Sequence, residues 1–237
     1  QNAIAAAQMV GQQVSLGVLA GRLGAPALRP PLDVRVRPLF NPALRSAIFI
    51  VPGIIGLILS ITLMIITALA IVRERERGTL EQLIVTPLPR GEIMLGKIAP
   101  YVAVGYVQMT AVLLVGHFVF HVPMRGNLAL LYAETLLFIF ANLGMGLFIS
   151  TLARTQAQAM QSSYLFVMPN VLLSGFMFPR EGMPPVAREI GLAFPLTYYL
   201  QIIRGVVLKG VGLRELLPQT LALVAFMVVA RFVLRND

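Results

Sequence analysis

Gly91-Glu92-Ile93-Met94-Leu95-Gly96-Lys97 has the Gly-x4-Gly-Lys spacing of a phosphate-binding loop. Such a loop needs converging backbone N–H groups at a helix start, and a hydroxyl after the Lys to hold magnesium. Here Ile98 follows the Lys, no strand pattern precedes the run, and an apolar stretch begins at once. Nucleotide binding at this run is not expected. His117 and His121 stand at i, i+4 and could share a helix face toward a metal ion, but no carboxylate or Cys lies close in sequence. Histidines at a membrane–water interface account for them better. The chain has no Cys, which removes disulfides, thiolate metal sites and Cys nucleophiles. No Ser–His–Asp set or paired carboxylates stand out, so no catalytic residue is assigned and an enzyme is not expected.

Glu134 lies inside a long apolar run. An ionisable group at membrane depth is costly and is a functional candidate by default. A position near the end of the run would also let it reach water or pair with a neighbour. Asn142, Asn170, Gln108 and Gln161 could hydrogen-bond between helices. Of these, Glu134, Asn142 and Asn170 are the candidates for lining a pathway. Gly144 and Gly146 read as points of close helix contact.

The most informative polar stretch is Arg73-Glu74-Arg75-Glu76-Arg77-Gly78-Thr79-Leu80-Glu81-Gln82-Leu83. An apolar run emerges into alternating charges and meets Gly78, a natural helix stop. Thr79 can cap a new helix, with Gln82 completing a capping box, and Pro87 ends that helix near Thr86. Leu80, Leu83 and Ile84 then share one face, giving a short amphipathic helix fixed to a spanning one. A solvated loop that anchors the helix ends would use the same charges.

The elements that position these groups follow from composition. Hydrophobic residues make up 57% of the chain and charged ones 12%, with a mean hydropathy of +0.82. Soluble domains carry roughly a quarter charged residues, whereas a bilayer-spanning helix needs roughly 20 apolar ones. The expected fold is an all-α membrane protein of about five transmembrane helices. The expected spans are 47–72, 93–120, 128–152, 162–178 and 216–234, with a coupling segment at 73–90. Region 179–215 is apolar but broken by Pro184, Pro185 and Pro195, and reads as re-entrant or interfacial helices. Residues 1–46 read as the remnant of a water-exposed domain and linker, with Val34–Arg37 a short half-exposed strand. Residues 47–237 form the membrane domain. The net charge of +9 invites nucleic acid as a partner, but Lys and Arg sit at span ends and in loops, and no aromatic-plus-basic platform appears. The partner of the apolar runs is the lipid bilayer.

The stretch RERERGTLEQLIVTPLPRGEIMLGKIAPY resembles the coupling region of type-2 ABC exporter permeases, especially the multidrug-type members. Arg37-Pro38-Leu39-Phe40-Asn41-Pro42 with Val51-Pro52-Gly53 is similar to the start of that family's second membrane helix. Gly144-Met145-Gly146-Leu147-Phe148 with Thr155-Gln156-Ala157-Gln158 is similar to its fourth. Pro169, Leu172–Phe176 and Phe194–Tyr198 continue the likeness in order. The resemblance implies six membrane helices with a large outer domain between the first two, so this chain is expected to lack the first helix and most of that domain. It places 73–97 in the cytoplasm of a bacterial inner membrane. It implies an ABC-type ATPase subunit as partner, holding the ATP and magnesium, with no cofactor on this chain. It also implies a second permease copy or a similar chain. Glu74, Arg75, Glu76, Gly78, Thr79, Leu80, Glu81, Gln82 and Leu83 would couple to the ATPase. The implied activity is export of drugs or other amphiphiles; lipid or glycan export, or a scaffold that transports nothing, are the alternatives.

Overall fold

The computed structural model describes residues 46–78 and 90–236, with isolated helical positions at Val10, Gln13 and Val14. The chain divides into two compact units, Gln1–Ser46 and Ala47–Asp237. The Val34–Arg37 strand and the amphipathic helix expected at 79–86 both lie outside the described residues. Among those described, the chain is helical and holds no strand.

Seven α-helices run in order among the described residues: α1 (Ser46–Glu76), α2 (Arg90–Phe118), α3 (Leu128–Leu152), α4 (Gln156–Leu173), α5 (Pro185–Ile190), α6 (Pro195–Arg204) and α7 (Leu213–Asn236). A π-helical turn, Gly205–Lys209, extends α6. Three helical stretches are long and apolar enough to cross a bilayer: Ile50–Glu76, Gly96–Phe118 and Leu128–Leu152. Pro185–Ala193 and Pro195–Lys209 meet at 91° and would count as a fourth if they form one broken span. Among the described residues the count is therefore three or four, against the five expected. This is an all-α, multi-pass membrane protein.

Local chemistry explains where the helices begin and stop. Asn127 caps α3, its side chain accepting from the Ala129 N–H at 2.8 Å. Thr155 caps α4 by accepting from the Gln158 N–H at 3.2 Å, so α4 starts at Gln156 rather than at 162. It stops at Leu173, short of 178, where Ser174 caps it and Gly175 turns away at φ +89°. Gly78, at φ +68°, sits in the left-handed region just past the end of α1, a conformation that favours glycine. Pro184–Pro185 and Pro195 open α5 and α6, where a missing N–H costs nothing.

Helix α3 is the centre of the bundle, packing against α2, α4, α6 and α7. In lipid there is no hydrophobic drive between helices, so close van der Waals packing and interhelical hydrogen bonds must hold them. Both occur here. A Cβ on Gly146 would lie 2.7 Å from Thr67 Cβ and 2.8 Å from the Met64 carbonyl oxygen, so α1 and α3 touch at backbone distance. Tyr199 of α6 is fully buried and stacks on Phe138 of α3, ring centroids 4.0 Å apart. Its hydroxyl meets the Thr135 hydroxyl at 2.8 Å.

Candidate functional site

Two polar constellations stand out within the membrane unit. The first gathers where α1 ends. Lys97 of α2 pairs with Glu74. Arg75 Nη1 donates to the carbonyl oxygens of Ser150 and Ala153, each at 3.2 Å, at the end of α3. Glu76 Oε1 accepts the Gln156 N–H at 2.9 Å, at the first residue of α4, and Glu76 Oε2 accepts from the Gln156 amide. Arg73 Nε donates to the remaining Gln156 oxygen at 3.3 Å. Successive residues on a helix point about 100° apart, so Glu74 and Arg75 reach different helices, while Arg73 and Glu76, three residues apart on one face, share Gln156. Four consecutive residues of α1 thus bond to three other helices: to α2 two turns from its start, and to the end of α3 and the start of α4.

Of the sequence-predicted coupling residues, Glu74, Arg75, Glu76 and Gly78 lie in this cluster or next to it, whereas Thr79, Leu80, Glu81, Gln82 and Leu83 are outside the described residues. The Gly91–Lys97 run is helical backbone within α2, and Lys97 is engaged by Glu74.

The second constellation is buried. Ser60 Oγ donates to Asn142 Oδ1 at 2.7 Å, and Asn170 Nδ2 donates to Ser60 Oγ at 2.9 Å. Asn142 Nδ2 closes back on the Phe138 carbonyl at 2.8 Å. All three residues are at most 1% exposed, so α1, α3 and α4 are joined by a chain of hydrogen bonds away from water. Asn142 and Asn170, chosen separately from sequence, meet through Ser60, which the sequence reading missed. A lone Ser in an apolar run is its only signal.

Glu134 belongs to neither group. Its carboxyl is 2% exposed, and Oε1 lies 2.7 Å from the Thr220 hydroxyl of α7. Oε2 has no hydrogen-bond partner among the described residues. The structure therefore brings Asn142 and Asn170 together and leaves Glu134 at a different interface, between α3 and α7. His117 Nδ1 lies 3.4 Å from the Val122 carbonyl, and no group of three or more metal-ligating residues forms among the described residues.

Residues 2–234 match the model of the ABC-2 family transporter proteins. The chain is 39% identical over 182 residues to the probable multidrug ABC transporter permease YbhS of Escherichia coli, covering 76% of this chain and 48% of that protein. It is 34% identical over 199 residues to the inner membrane transport permease YhhJ of the same organism, covering 83% and 53%. It is 29% identical over 207 residues to ABC transporter G family member 20 of Dictyostelium discoideum, covering 86% of this chain and 28% of that protein. The chain spans about half the length of the curated bacterial relatives it matches.

Proposed function

Since the chain belongs to the ABC-2 transporter family, we propose that it forms the substrate pathway of an ATP-driven exporter in a bacterial inner membrane, powered by a separate ABC-type ATPase subunit. The family match over residues 2–234 carries this reading. The two E. coli permeases named for multidrug transport support drugs or other amphiphiles as the substrate class. ATP and magnesium reside on the ATPase, and two permease chains, identical or similar, enclose the pathway. Gly78 and Thr79–Leu83 present the contact to the ATPase, directly beyond the helix whose end is tied to α2, α3 and α4. Force applied there reaches the membrane through hydrogen bonds already in place.

The test uses the absence of Cys in this chain. Single Cys residues from Gly78 to Leu83 of this chain should cross-link to the ATPase subunit that co-purifies with the protein, and Cys at Arg75 or Glu76 should not. Membrane vesicles holding both should expel a fluorescent cationic amphiphile only when ATP is supplied. Co-purification without any ATPase, together with ATP-independent efflux, would overturn the reading.

A further inference from the structure

Arg75 and Glu76 are neighbours of opposite charge, and each is bonded to the helix end of opposite polarity. The last carbonyls of a helix have no intrahelical partner and carry partial negative charge; the first N–H groups carry partial positive charge. At the end of α3, Ser150 Oγ bonds the Leu147 carbonyl at 2.6 Å and Thr151 Oγ1 the Phe148 carbonyl at 2.7 Å. The Ser150 and Ala153 carbonyls receive Arg75 instead. At the start of α4, Glu76 takes both the Gln156 backbone N–H and its side-chain amide. Arg73 holds the other face of that amide, so its donor and acceptor are both used. Between the two helix ends lie only Ala153, Arg154 and Thr155.

We propose that Arg75 and Glu76 are positioning residues that lock the α3–α4 junction to the end of α1, so that these helix ends move as one body. Their side chains are committed within the chain and are not docking contacts. The lock is a property of this chain; its consequence for transport rests on the exporter reading. Bonds this exposed add little to stability, so their effect is on geometry. A push on the segment after Gly78 then displaces the start of α4 and the end of α3 along with α1, instead of bending α1 alone.

The experiment places spin labels at Arg77 and Arg154, both exposed, in the full-length protein in lipid nanodiscs. The expected distance distribution is single and narrow, and stays so when the co-purifying ATPase subunit and ATP are added. Arg75→Ala with Glu76→Ala should broaden it, and Arg75→Lys with Glu76→Gln should largely restore it. The Ala pair should leave ATPase affinity within about twofold and lower transport per ATP by about tenfold, the size of an ordinary coupling loss. Labels that separate on ATP addition, or a distribution that stays narrow in the Ala pair, would overturn the lock. Loss of ATPase affinity in the Ala pair would make these residues docking contacts and overturn it equally. If no ATPase subunit associates, the exporter reading fails, and the distributions of the protein alone still decide the lock.

Discussion

The charged end of α1 and the Ser60–Asn142–Asn170 chain both tie three or more helices together, under opposite physical conditions. The first is wet: Glu74 and Lys97 each keep 28% side-chain exposure, so water can replace any bond that breaks. The second is dry, and a partner lost there leaves a buried polar atom with nothing to replace it. Hydrogen bonds of similar length therefore do different work. The buried chain resists separation of α1, α3 and α4, while the exposed cluster sets which helix end follows which.

The contrast is sharpest where the dry region is densest. Gly146→Val should push α1 from α3 against the Met64 carbonyl and Thr67. The expected loss is about 3 kcal/mol, read as thermal unfolding in detergent. Asn142→Leu should follow, costing about 1–2 kcal/mol, because it strips Ser60 of its acceptor within the membrane bundle. A double-mutant cycle with Ser60→Ala should then show strong coupling, and purely additive losses would remove the distinction between the two regions. Thr220→Val comes third, about 1 kcal/mol, by taking the hydrogen-bond partner of Glu134 Oε1. Smallest is Lys97→Met, expected within about 0.5 kcal/mol, and raising salt from low to molar levels should erase even that. A Lys97→Met loss as large as that of Asn142→Leu would mean that the α1 end is also dry.

Much of the site's chemistry was legible in the chain itself, though not its partners. Thr155 with Gln158 three residues on has the pattern of a capping signal that the sequence reading passed over by following the apolar run from 162, and the structure uses it to start α4 six residues earlier. Gly78 was readable as a stop because only a residue without Cβ adopts φ +68° freely. Glu134 could be flagged as an ionisable group in an apolar run, but its bond to Thr220, 86 residues away, could not be read.

What the sequence determined by itself was local. The length of each apolar run, the capping residues and glycine stops, and the alternation of Arg with Glu all act through neighbours within a turn or two, and they define an all-α membrane chain. Tertiary structure alone decided which faces meet. Ser60 finds Asn142 and Asn170 across 82 and 110 residues, Arg75 finds the end of α3, and the α5–α6 region folds at 91°. The physical reason is that a polar side chain in a bilayer can be satisfied by many partners of equal chemistry. The choice among them is made by steric packing, above all where Gly146 lets two helix backbones touch.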